Sequence, residues 1–197
     1  PETVDYSRLY AERTPLLRAA FRRWQAAGGA DSRTFAAFTA RSAHWLDDYA
    51  LFTALKAVHG GAAWDQWPDP LRLRGPAALE RARRELAGEL QFQRFVQYEF
   101  DLQWQRLKGY ANRKGVRIIG DLPIYVAFDS ADTWSRPELF QLDAGRRPTG
   151  VAGVPPDGFS ATGQLWGNPL YDWPVHEAGG YRWWIERMAH CYDWYDV

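Results

Sequence analysis

Sulfur is scarce in this sequence and net charge is absent. Cys191 is the sole cysteine among 197 residues, which excludes an internal disulfide framework and a cysteine-built zinc site. Lys and Arg number 24 and Asp and Glu number 24, so the formal net charge is zero. That balance argues against a polyanion partner such as nucleic acid, whose binding rests on excess cationic charge. Apolar runs are a few residues long, far short of the roughly 20 needed to span a bilayer, and the first residues lack the basic-then-apolar order of a secretory signal. These absences predict a soluble, cytoplasmic protein with no membrane and no nucleic-acid partner. Met188 is the only methionine and the chain starts at Pro1, which reads as a processed product or an excerpt of something longer. What is abundant is aromatic: 11 Trp, 10 Tyr and 10 Phe. A chain so rich in large side chains buries enough surface to offset its ordering entropy, which argues against disorder.

The first 60 residues read as helices. Asp31-Ser32-Arg33-Thr34 is a capping sequence for a segment in which Phe35, Phe38, Ala43, Leu46, Tyr49 and Ala50 recur at helical spacing, ending near His59-Gly60-Gly61. Two indoles and two prolines in Trp64 to Pro70 predict a fixed loop, and Gly75-Pro76 opens the next element. From about Ala77 to Lys114 no proline interrupts, and Phe92, Val96, Phe100, Trp104, Leu107 and Ala111 form a stripe. One long helix is predicted there. After Gly115 the period changes: Val116-Arg117-Ile118-Ile119-Gly120 predicts a buried strand feeding the acidic turn Asp121-Leu122-Pro123, a helix-to-strand step of a parallel α/β unit. Phe128 to Val175 is rich in proline and glycine with little period, and so long an irregular stretch points to function. A last helix begins around Tyr181 to Met188, and Tyr192 to Val197 approaches another strand. Two regions result: residues 1–115, a helical subdomain ending in the long helix, and residues 116–197, a strand, a long loop and a following helix.

Few chemistries survive inspection of the residues. His44, His59, His176 and His190 show no ligand spacing, so no metal is predicted, and no glycine-rich fingerprint cradles a phosphate-bearing cofactor. Gly158-Phe159-Ser160-Ala161-Thr162 lacks the final glycine of a serine-hydrolase elbow. Two carboxylates remain. Asp121 ends the predicted parallel strand, where such folds place working residues, although a loop Asp bonding its own backbone fits equally well. Asp157 follows Pro155-Pro156, which stiffens its backbone. Phe159, Gln164, Trp166 and Asn168 lie nearby in sequence, and aromatic faces beside amides and a carboxylate suit the C–H face and hydroxyl rim of a sugar. Packing of that loop on its own domain is the competing explanation, and most tryptophans are expected in the core.

The run Ile119-Gly120-Asp121-Leu122-Pro123-Ile124-Tyr125-Val126, then Asp129-Ser130-Ala131-Asp132-Thr133-Trp134, Pro137-Glu138-Leu139-Phe140, Val151 to Asp157 and Phe159 to Tyr171 resembles the 4-α-glucanotransferases known as amylomaltases or disproportionating enzymes. Trp45 to Phe52 and Gln103-Trp104 agree with it. The resemblance implies part of a (β/α)₈ TIM barrel carrying a largely helical insertion, acting on maltooligosaccharides and other α-1,4-glucans without a cofactor. It implies transfer of glucan segments with retention, which uses a carboxylate nucleophile and an acid/base carboxyl about 5–5.5 Å apart. By the same resemblance Asp121 supports the nucleophile's surroundings. Asp157 faces the acceptor, and Phe159, Gln164, Trp166 and Asn168 line the glucan groove. Gly158 stands where many relatives carry Tyr. The nucleophile, acid/base and third carboxylate are expected after Val197, so no catalytic residue is assigned in this chain and the isolated 197 residues are expected to be inactive. The alternative is a non-catalytic α-glucan-binding module.

Overall fold

The computed structural model describes residues 3–197, without the Tyr10 side chain. Helix α1 (Tyr6–Ala26) starts on Asp5, whose carboxylate accepts the Arg8 N–H at 3.0 Å. A short 3-10 turn leads to α2 (Arg33–Val58), capped by the Ser32 hydroxyl on the Phe35 N–H at 3.3 Å. It stops where expected: Gly60 and Gly61 adopt positive φ, and the Gly61 N–H turns back to the Lys56 carbonyl at 2.8 Å. The Trp64–Pro70 loop folds into a 3-10 turn and the four-residue α3 (Asp69–Arg72). Trp64 and Trp67 are both buried there. Pro76 opens α4 (Pro76–Glu85), followed by α5 (Ala87–Arg113).

Apolar faces of these helices make the core. Ala50, Leu51, Ala54 and Leu55 of α2 meet Trp64, Trp67, Leu79, Ala82, Leu90 and Trp134 in one cluster. Phe35, Phe38 and Leu46 meet Tyr98 in a second, and Phe21 meets Phe92 and Phe95 in a third. Each fully buried Leu or Phe contributes about 1.5–3 kcal/mol relative to exposure.

The remaining elements are shorter. They are α6 (Ala131–Ser135), β1 (Val151–Val154), β2 (Gln164–Pro169), α7 (Trp173–Ala178) and α8 (Arg182–Trp194). Strands β1 and β2 pair antiparallel, with Gly153 opposite Leu165 and Val154 opposite Gln164. Val126, Phe140, Tyr171 and Trp183 form their own cluster. Two indoles pin this half to the helices: Trp64 Nε1–H donates to the Phe128 carbonyl at 2.7 Å, and Trp104 Nε1–H to the Trp194 carbonyl at 2.8 Å.

Four expectations need correction. The helix predicted over 77–114 is two helices, broken at Leu86, where the backbone turns to φ −103°. No proline marks the break, and Gly88 lies two residues past it. Leu86 packs partly buried against the large cluster, so burial of both helices on α2 overrides local propensity. On the stripe, Phe92 is buried, but Phe100 and Leu107 are exposed. The Val116–Gly120 strand is neither buried nor part of a sheet: Val116 and Ile119 face outward, Ile119 at 77% exposure. Extended backbone needs a neighbour to become a strand, and among the described residues only the chain's last two residues lie alongside. The Val197 N–H donates to Ile118 O at 3.3 Å and the Gly120 N–H to Val197 O at 2.8 Å, one parallel step. Residues 192–194 belong to α8, so only 195–197 are extended. The stretch predicted irregular contains the β1–β2 hairpin, whose strands are too short to show a period of two. Among the described residues no helix is long and apolar enough to cross a membrane, and no cluster of three or more His, Cys, Asp or Glu could hold a metal ion.

Candidate functional site

The hairpin presents most of the singled-out residues, and its loop is built by local hydrogen bonds. After Pro155-Pro156, Asp157 Oδ1 accepts the N–H groups of Phe159 and Ser160, both at 2.9 Å, and the Asp157 N–H donates to Ser160 O at 3.0 Å. The Ser160 hydroxyl then donates to Gly163 O at 2.7 Å. Gly163 sits at φ +74°, and a β-carbon on it would come within 2.5 Å of the Val154 carbonyl. Only glycine fits this return of the chain onto β1. The result is a closed turn that holds Asp157 exposed and leaves Phe159 97% exposed. Asp157 thus shapes its own loop through one carboxylate oxygen, while Oδ2 makes none of these bonds.

Along β2, Gln164 and Trp166 are also exposed, and Trp166 Nε1–H donates to Gln164 Oε1 at 3.0 Å. The Trp166 ring lies 6.1 Å from Tyr125, at 60° to it. Asn168, half-buried, donates its amide N–H to the Val126 carbonyl at 2.8 Å. Of the eleven tryptophans, only Trp166 and Trp173 are exposed, so the indoles do sort mostly toward packing.

Asp121 lies elsewhere. It is exposed, its side chain makes no hydrogen bond or ion pair among the described residues, and it edges a cavity of about 380 Å³ between α2 and α8. Trp45, Tyr49, Arg136, Trp183, Glu186 and His190 also line that cavity, but Asp157, Phe159, Gln164, Trp166 and Asn168 do not. Arg136 pairs with Glu186 at 3.3 Å across it. Burial holds the His190 imidazole below its ordinary pKa, against the pull of Asp193. Rings of Trp45 and Trp194 lie 5.8 and 5.2 Å from it.

The loop after Asp121 joins the two places. Tyr125 stacks on Tyr171 at 5.9 Å and 8°, and the Tyr171 hydroxyl donates to Ile124 O at 2.8 Å. Tyr125, Tyr171 and Arg187 were not singled out from sequence. Their partners are far away in the chain, and an isolated Tyr or Arg carries no signal of a distant carbonyl.

A family model described as 4-alpha-glucanotransferase matches residues 1–197. The 4-alpha-glucanotransferase of Thermus thermophilus is 54% identical over 191 residues, covering 96% of this chain and 38% of that protein. The one from Clostridium butyricum is 41% identical over 197 residues, covering 100% of this chain and 40% of its own length. The chain therefore spans about two-fifths of the curated relatives it matches. Among solved structures, an amylomaltase from Streptococcus agalactiae in complex with acarbose superposes with a TM-score of 0.92 at 40% identity, over 98% of this chain and 39% of that one. A match across every residue and this degree of identity place the chain in the 4-alpha-glucanotransferase family.

Proposed function

We propose that the protein transfers segments of an α-1,4-glucan from a donor to the 4-hydroxyl of an acceptor sugar, with retention of configuration. This chain would supply the acceptor face and one supporting carboxylate. The observation that carries the reading is the hairpin, where Trp166 stands exposed on β2 and Phe159 and Asp157 stand exposed on the turn stiffened by two prolines. Exposed rings offer stacking to the C–H face of glucose, and Asp157 Oδ2 and the Gln164 amide offer partners to its hydroxyls. Acarbose is bound by the Streptococcus agalactiae amylomaltase, and maltooligosaccharides are the ligand class proposed here.

Retention needs a nucleophile and an acid/base about 5–5.5 Å apart, a pair that family resemblance puts after Val197. Asp121, whose side chain has no partner among the described residues, would set the field around that nucleophile without attacking. The acceptor competes with water, so rings that bind sugar and exclude solvent favour transfer over hydrolysis. In the same reading residues 116–120 and 195–197 are adjacent edges of a (β/α)₈ barrel, and the helices through residue 115 are an insertion. Val116 and Ile119 are then the apolar surface that barrel neighbours would bury. A cytoplasmic location goes with a soluble glucan substrate, although the potato relative is named as chloroplastic or amyloplastic.

Maltotriose disproportionation, followed by glucose release, tests the reading. The intact protein is expected to turn over, and the isolated 197 residues are not. Trp166→Ala is expected to weaken maltooligosaccharide binding about three- to tenfold, the worth of one stacking contact, with circular dichroism unchanged. Equal affinity in variant and wild type removes Trp166 from the acceptor face.

A further inference from the structure

Between Asp121 and Ala127 the backbone forms no hydrogen bond to other backbone among the described residues. Three side chains serve its carbonyls instead. Arg187 Nη2 donates to Pro123 O at 2.9 Å, the Tyr171 hydroxyl to Ile124 O at 2.8 Å, and Asn168 Nδ2 to Val126 O at 2.8 Å. The donors come from α8, from the turn after β2, and from β2 itself. A bent segment without a ladder has no register of its own; the Gly120 N–H bond to Val197 O just before it, the burial of Val126 and these three donors together set its position.

Each donor is itself fixed. Tyr171 is 4% exposed and packs among Tyr125, Phe140, Trp183 and Trp184. Its burial raises the phenol pKa, although Arg187 opposes the shift, so the hydroxyl stays a proton donor at neutral pH. The Arg187 guanidinium lies 4.5 Å from the Trp183 ring and 5.2 Å from the Trp184 ring. Asn168 belongs to the same strand as Trp166, so its bond ties the sugar-facing strand to the loop that follows Asp121.

We infer that Asn168, Tyr171 and Arg187 are positioning residues that set Asp121 at a fixed distance from the Trp166 face. The inference rests on Asp121 and Trp166 being parts of one glucan site, and it assigns Asn168 to the loop, not to sugar. A misplacement of about 1 Å at a reacting centre, even one set by side chains away from the chemistry, can cost about a hundredfold in rate. Losing a donor therefore acts on the alignment of the Asp121 loop relative to the Trp166 strand, while the Trp166 ring itself is retained.

The test uses the intact glucanotransferase with Tyr171→Phe, Asn168→Ala, Arg187→Met and Arg187→Lys, read by maltotriose kinetics, thermal midpoint and crystal structures. Tyr171→Phe keeps the ring and removes only the donor; its kcat is expected to fall about tenfold or more with KM within about twofold. Arg187→Lys retains a donor and is expected to recover most of the rate that Arg187→Met loses. The Asp121 carboxylate is expected to shift relative to Trp166 in the Phe and Met variants. Unchanged kcat overturns the inference, as does a loss that merely follows the thermal midpoint, or an Asp121 that does not move. If the wild-type protein fails to turn over maltotriose, the transferase reading fails instead, and the displacement of Asp121 still decides the positioning role.

Discussion

In the helices up to Arg113 the backbone satisfies itself, and side chains are left to bury apolar surface. In the Asp121–Ala127 loop the reverse holds: the carbonyls that find partners find them in the side chains of Asn168, Tyr171 and Arg187, at 42 to 64 residues' separation. The helical half is a packed support whose geometry is over-determined. The other half packs its own cluster of Val126, Phe140, Tyr171 and Trp183, but its loop after Asp121 relies on single polar contacts, and this half carries every residue proposed as functional. The residues proposed as functional thus sit where a change in one side chain can re-aim them, beside the packed helical core.

Leu51→Ala should show the largest effect on stability. Leu51 is fully buried at the centre of the helical cluster, and truncation there is expected to cost about 2–5 kcal/mol in urea unfolding. Maltooligosaccharide affinity measured well below the transition should not change. A parallel loss of affinity at full stability would erase the distinction between the halves.

A pair of glycines sharpens it within the hairpin. Gly163→Ala forces a β-carbon toward the Val154 carbonyl at positive φ, at an expected cost of about 1–3 kcal/mol, and the distorted turn should weaken sugar binding. Gly158 has open space around it, so Gly158→Tyr should leave stability within about 0.5 kcal/mol. The added ring is expected to raise the ratio of transfer to hydrolysis, scored by product analysis on maltotriose. If both variants behave alike, the turn is not the rigid element described.

The smallest effect is one of pH and belongs to two histidines of the second half, one of them at its contact with the helices. Burial lowers the pKa of both His176 and His190. His176 Nε2 bonds the Leu139 carbonyl at 3.1 Å, while Nδ1 is buried without a partner among the described residues. His190 is surrounded by Asp193, His44, Asp101 and Arg41, whose opposing charges leave burial the larger effect. The unfolded chain then takes up these protons more readily. Stability is complete above the ordinary histidine pKa of about 6.5, falls as pH drops toward the lower folded values, and is level below them. Thermal midpoints across that window should fall with acid, less steeply in His190→Gln. Asp196, held below the usual carboxylate range by the Ile118 N–H and the Asn112 amide, acts only at lower pH.

Legibility followed the same division. Ser32 as a cap, Gly60-Gly61 as a stop and Pro76 as a start were readable, because caps and breakers act over three or four residues. The Leu86 break was not, since leucine is a good helix former and Gly88 beside it falls inside α5, so contact with the large cluster decides where the chain turns. Trp166, Phe159 and Asp157 were readable as a cluster of exposed chemistry because the prolines and glycines around them forbid a packed helix. That Asn168 bonds a carbonyl 42 residues away could not be read.

The sequence by itself determined the helical scaffold, the family and the motif that carries the candidate sugar face, because local propensity and the order of short motifs are properties of neighbouring residues. Tertiary structure alone decided that Asp121 lines a cavity between α2 and α8, that Val116 and Ile119 of the β-branched run lie exposed, and which side chains anchor the loop after Asp121. Those outcomes depend on hydrogen-bond partners brought together across scores of residues, and a carbonyl shows no preference for its donor until the fold supplies one.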